Sequence, residues 1–182
     1  MDRPLSTVLG ATARLPGTFS KAATPFEAEE GRTMIRSEST IPTVKVRRLM
    51  PATCQQVFEA WTDVESVKQW MCAGDTVVAY AEMDVRVGVR FRIVMQDASA
   101  DYEHTGEYLE VVPPEPLVFT WISRGTQNQS TLVTVELQQQ GDQTLLTLTH
   151  EQLPGAEAAS RHQKGWISIV DKLQSHLTKP TA

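Results

Sequence analysis

Along residues 42–182 the apolar positions alternate, then change period. Thr43–Leu49 (TVKVRRL) alternates and predicts a strand that Pro51 ends. Thr53 and Gln56 then form a capping-box pair, with Val57, Phe58 and Trp61 at helical spacing. A second box, Thr62 to Glu65, precedes Val67 and Trp70, so two short helices joined by a tight corner are expected, with Trp61 and Trp70 turned toward one core. Residues 76–150 read as strands: 76–82, 89–96, 103–112, 117–123, 130–138 and 143–150. Period two turns Phe91, Ile93 and Met95 to one side and Arg90 and Arg92 to the other. It also predicts inward sets of Leu117, Phe119 and Trp121, of Val133, Val135 and Leu137, and of Leu146, Leu148 and His150. Beyond Pro154-Gly155 the spacing becomes three and four, through Trp166, Ile169, Val170, Leu173 and Leu177. That predicts one amphipathic helix over Ala156–Leu177, about 33 Å long, with Lys172, His176 and Lys179 toward its C-terminal end and Pro180 as its stop.

The order is strand, two short helices, a run of antiparallel strands, then one long helix. An antiparallel sheet with one apolar face needs a cover, and the long helix is the element large enough to supply it. A helix about 10–12 Å wide cannot fill a strongly curved sheet of six or seven strands. The leftover space is either plugged by large side chains or left as a ligand pocket.

Composition narrows the class. The 182 residues are 41% hydrophobic and 21% charged, with net charge −5, an ordinary globular balance that argues against a nucleic-acid partner. No apolar run reaches the length of a membrane span, and no compact apolar segment follows a basic start, so a cytoplasmic location is expected. Residues 1–41 differ: they are rich in Pro, Gly, Ser and Thr and carry balanced charge without apolar periodicity. They are read as a disordered extension ahead of a domain at 42–179, with 180–182 as a tail. An organelle transit peptide and a start assigned upstream of Met34 are the alternatives for this extension.

Several stretches together carry a family likeness. They are Val57-Phe58-Glu59-Ala60-Trp61-Thr62-Asp63 with Trp70, and Gly106 to Pro114 running into Leu117-Val118-Phe119-Thr120-Trp121. Thr147 to Pro154, and His162-Gln163-Lys164-Gly165-Trp166 with Leu173, complete the set. In this order the chain resembles the START-like or Bet v 1-like (SRPBCC, helix-grip) superfamily. More narrowly, it resembles the activator of heat-shock protein 90 ATPase homologue family in its C-terminal-domain-like form. The resemblance implies an α+β fold, a curved antiparallel sheet wrapped around a long C-terminal helix. It implies binding of small hydrophobic molecules, or of a chaperone partner, more than a fixed reaction. The chaperone activators proper carry a separate folded N-terminal domain, which 41 polar residues are too short to supply, so direct chaperone activation is not expected.

Candidate chemistry is sparse. Cys54 and Cys72 are too few for a disulfide framework or zinc site and are read as buried thiols; no metal or cofactor is expected. His104 is read as a polar contact in the pocket or an ordinary edge histidine, and His150 as an anchor for the loop before the long helix or a proton-transfer group. Glu107 and Glu110, three apart on a strand, are expected to face opposite sides. Arg124 beside Gly125 meets an anionic ligand at the mouth or is a solvated loop charge. Trp121 and Trp166 stack on a planar ligand or fill the core, and Gly165 marks a close approach of the helix to a strand or ligand.

The expected pocket is lined from the sheet by Phe91, Ile93, Met95, His104, Phe119 and Trp121, and from the helices by Trp70, Met71, Trp166 and Ile169. The function expected is non-catalytic binding of a small hydrophobic or aromatic ligand. A chaperone co-factor or stress-response interaction module is the alternative, and a cyclase- or hydrolase-type enzyme a second one. Pairing of two copies through exposed strands stays open.

Overall fold

The computed structural model describes residues 41–179. The extension expected over 1–41, Ile41 apart, lies outside the described residues, as do Pro180 and the tail it begins. Strand β1 (Val44–Met50) leads into helices α1 (Cys54–Thr62) and α2 (Val64–Trp70). Strands β2 (Val77–Glu82), β3 (Arg90–Gln96), β4 (Asp101–Val111) and β5 (Leu117–Ser123) follow. A short 3-10 turn over Arg124–Thr126 precedes β6 (Thr131–Gln140) and β7 (Gln143–Glu151), and α3 (Ala156–Leu177) closes the order. Each strand begins and ends within two residues of its predicted bounds, and the long helix spans the predicted residues. The seven strands form one antiparallel sheet in the order β1-β7-β6-β5-β4-β3-β2. With α3 across its concave face this is the expected α+β helix-grip architecture.

The alternation works as read because one face is buried. Leu117, Phe119 and Trp121, Val133, Val135 and Leu137, and Leu146, Leu148 and His150 are all buried. Register pairs Leu137 with Leu146 and Val135 with Leu148, so inward residues meet side by side. Trp61 and Trp70 meet edge to face with centroids 4.8 Å apart.

Two local expectations are corrected. Helix α2 is capped by Asp63, whose carboxylate accepts from Ser66 N at 2.7 Å, not by Thr62. Thr62 is the last residue of α1, and its hydroxyl donates back to Phe58 O at 2.9 Å, so it is unavailable as a cap. Glu107 and Glu110 do not face opposite sides. A register shift between Tyr108 and Glu110 leaves Leu109 and Glu110 both exposed before Val111 packs on the core. The extra residue resets the alternation, so both glutamates lie on the solvent side. Inward on β4 are His104, Gly106 and Tyr108.

Helix α3 is fastened off-centre. Its C-terminal half is tied to β1 by the Arg48–Asp171 ion pair and by Gln174 Nε2 donating to Leu49 O at 2.8 Å. Lys172 Nζ donates to Gly74 O at 2.7 Å, and Gly74 N donates to Ser168 Oγ at 2.9 Å, holding the α2–β2 loop against the same half. Anchored on that side, the helix leaves the ends of β3–β5 beside its first turns without a cover.

Candidate functional site

The seam between sheet and helix contains two unlike spaces. In the middle, Trp61, Phe91, Phe119 and Trp121 interlock with ring centroids 5.7–6.3 Å apart. The void left among them, lined also by Met71, Ile93 and Tyr108, is about 10 Å³, at the limit of room for one water. At one end the seam opens into a cleft of about 1060 Å³, between the first half of α3, the ends of β3–β5 and the 3-10 turn.

The ten residues expected to line a pocket divide accordingly. Met95, His104, Trp121, Trp166 and Ile169 line the cleft. Met71, Phe91, Ile93 and Phe119 surround the small void. Trp70 lines neither: it is wholly buried, its Nε1 donating to Ala60 O at 3.2 Å.

The apolar floor of the cleft is hydrogen-bonded from behind. Trp166 Nε1 donates to His150 Nδ1 at 2.9 Å. An indole N–H can only donate, so the imidazole carries its proton on Nε2, which meets Thr131 Oγ1 at 2.7 Å. The threonine hydroxyl in turn donates to the carbonyl of Trp121 at 2.5 Å. One directed chain thus joins the two tryptophans of the floor, whose rings lie 5.2 Å apart. Burial, with His162 as a lesser neighbour, pulls His150 down to about 3, so the ring is neutral and structural. Its hydrogen bonds run to Trp166 in the middle of α3 and to Thr131 on β6, not to the loop before the helix.

Two further imidazoles face the cleft. His104 stacks on Trp121 at 4.8 Å, and its Nδ1 is buried without a hydrogen-bond partner. Burial pulls His104 down to about 4. His162, one helical turn before Trp166, holds its Nδ1 2.8 Å from Ala158 O and meets His150 edge to face at 4.9 Å. Its pKa is lowered, mainly by burial and further by Arg161.

The 3-10 turn builds the opposite lip. Thr126 is fully buried and bridges Ser123 and Gln129 by hydrogen bonds, which sets Arg124 and Gly125 on the cleft wall. Arg124 makes no ion pair or hydrogen bond through its side chain among the described residues, so its guanidinium is available to an anionic group. Three carboxylates on the far lip are committed, while Asp75 beside them makes no side-chain hydrogen bond or ion pair among the described residues. Asp97 accepts from Ser99 Oγ and backbone N at 2.7 Å and from Tyr102 OH at 2.9 Å, which hold it at about 2. Glu103 pairs with Arg92 at 2.5 Å, and Asp101 accepts from Gln96.

Sequence reasoning missed His162, Arg161 and Tyr102. For His162 a signal existed: it lies four residues before Trp166, so a helix that turns Trp166 inward turns His162 to the same face. Gly165 does line the cleft; a Cβ there meets only Ala73 Cβ at 3.8 Å, so no strand presses on it. Cys54 and Cys72 are buried and free. Among the described residues no cluster of His, Cys, Asp and Glu could hold a metal ion. No described helix is long and apolar enough to cross a membrane.

Comparison with known proteins agrees with this architecture. The family model described as Activator of Hsp90 ATPase homolog 1-like protein matches residues 51–178. The fold is similar to that of CV1439 from Chromobacterium violaceum, at 21% identity and a TM-score of 0.70, over 76% of this chain and 98% of that one. It is similar to the AHSA1 protein SPO3351 from Silicibacter pomeroyi, at 24% identity and 0.67, over 75% and 97%. Mll3558 from Rhizobium loti matches at 26% identity and 0.64, over 75% and 97%. Among curated proteins, none matches the chain.

Proposed function

Since the chain belongs to the Activator of Hsp90 ATPase homolog 1-like family, we propose that it binds a small hydrophobic or aromatic molecule, without catalysis, in the cleft beside the first half of α3. The observation that carries this reading is the cleft itself, about 1060 Å³ with a floor of Trp121, Trp166, Ile169 and Met95. That volume suits a drug-sized ligand, and indole faces offer large apolar area at low entropic cost. Neither His104 nor His162 hydrogen-bonds a serine or cysteine side chain among the described residues, which favours binding over nucleophilic chemistry. A cytoplasmic location is part of the same reading.

Native mass spectrometry and thermal shift against a panel of apolar and aromatic compounds test it. A stoichiometric complex that raises the melting temperature is expected. A panel that leaves the melting temperature unmoved and yields no complex overturns it.

A second reading follows from the family description alone: a chaperone co-factor or stress-response interaction module. Pull-down with heat-shock protein 90 and its ATPase assay decide this. A changed ATPase rate at saturating protein supports it, and an unchanged rate ends it.

A further inference from the structure

Taking the cleft to be an aromatic-ligand site, as above, we propose that His162 makes it select hydroxylated planar aromatics, Nε2 accepting the ligand's O–H hydrogen. The tautomer follows from the helix. The partner of Nδ1 is the carbonyl of Ala158, 2.8 Å away, and a carbonyl can only accept. Nδ1 therefore carries the proton, and a neutral ring then presents a lone pair at Nε2. Burial among His150, Trp166 and the helix disfavours the charged form, and the adjacent cationic Arg161 disfavours it further.

That lone pair has no protein partner among the described residues. It borders the cleft, where the facing wall is Gly125. A Cβ at residue 125 would stand 3.4 Å from Nε2 and 3.2 Å from Cε1, so any side chain there would press on this edge of the ring, and glycine keeps it unobstructed by a side chain. The indoles beside it suit a flat ring. Trp166 follows His162 by one turn, and Trp121 lies 5.2 Å from Trp166 and is backed by His104. A ring settled on these faces with a bare apolar edge toward Nε2 strips water from the acceptor and returns nothing. A ring with a hydroxyl there restores the bond. Discrimination comes from the acceptor left unpaired, the mechanism by which polar sites reject analogues lacking a donor.

The test titrates the full chain by calorimetry with naphthalene, 2-naphthol and 2-methoxynaphthalene, three rings that differ in the donor. The expected result is 2-naphthol binding about tenfold more tightly than 2-methoxynaphthalene. That ratio should fall to about one in His162→Phe, which keeps a flat ring but no acceptor, and recover in part in His162→Gln, which restores one. Thermal melts of each variant verify folding. Equal affinity of all three rings for the wild type, or a ratio unchanged in His162→Phe, overturns the selectivity while leaving the cleft an aromatic site. Failure of all three rings to bind overturns both readings.

Discussion

Trp166 Nε1 sits 2.9 Å from His150 Nδ1, an indole donor seated on an imidazole acceptor with both residues buried. The contact dictates the tautomer of His150 and, through Thr131, orients the backbone that carries Trp121. The two aromatic faces of the cleft floor are therefore set by one polar chain crossing from α3 to β7, β6 and β5.

Removing the middle of that chain leaves the buried Trp166 N–H without a partner and takes from Thr131 Oγ1 one of its two bonds. His150→Phe is expected to destabilise the fold by about 3 kcal/mol, measured by urea denaturation. Combined with Trp166→Phe, the losses should fall short of additivity by about 1 kcal/mol, because each change breaks the same bond. Strict additivity would show that the bond contributes nothing.

Acid should destabilise the protein earlier than carboxylate titration alone predicts. Burial holds His150 at about 3 and His104 at about 4, against about 6.5 in an unfolded chain. Between those values the unfolded state binds more protons, so stability is complete above pH 6.5 and falls as pH drops toward 4. Each such histidine contributes about 1.4 kcal/mol per pH unit within its window. Urea midpoints from pH 8 to 4.5 should be flat at first and decline below about 6.5. A midpoint constant down to pH 5 would contradict the neutral, buried assignment.

Gly165 separates stability from binding. A Cβ there finds only ordinary contact with Ala73, so Gly165→Ala should stabilise α3 by about 0.5–1 kcal/mol and leave ligand binding intact. Gly165→Phe should project its ring into the cleft and abolish the ligand-induced thermal shift while the protein stays folded. A ligand shift that survives Gly165→Phe places the ligand elsewhere.

Gly106 has no such freedom. A Cβ on it would stand 1.9 Å from Thr120 O and 2.5 Å from the Phe91 ring. Gly106→Ala must part β4 from β5 or expel Phe91, and is expected to cost about 3 kcal/mol in chemical denaturation. A loss under 1 kcal/mol would mean that the sheet yields there without penalty.

The strands were legible because each presents one face to the core. Phe91, Ile93 and Met95 against Arg90 and Arg92 show the period plainly, and the structure buries the first set and exposes the second. The long helix was legible from Trp166 to Leu177 for the same reason at period 3.6. Less was legible where a residue has two competing bonds. Thr62 and Asp63 both suit a helix cap, and only the hydrogen bond from Thr62 back to Phe58 O decides between them. The bulge that puts Glu107 and Glu110 on one side leaves no mark in the spacing of β4. Of the lining residues, alternation marked Phe119 and Trp121 alike as inward. It could not tell that Phe119 edges a void of about 10 Å³ while Trp121 also borders a cleft of about 1060 Å³.

The order and period of apolar residues alone determined the sheet, its covering helix and the inward tryptophans. Those are properties of one chain segment at a time, and a hydrophobic face must be buried wherever it falls. Where the empty space lies was decided only in three dimensions. Arg48–Asp171, Gln174 and Lys172 tether α3 to one side of the sheet, while four aromatic rings from α1, β3 and β5 close the middle. Open volume is what packing leaves over, a sum over all these contacts at once, and no single segment of sequence encodes it.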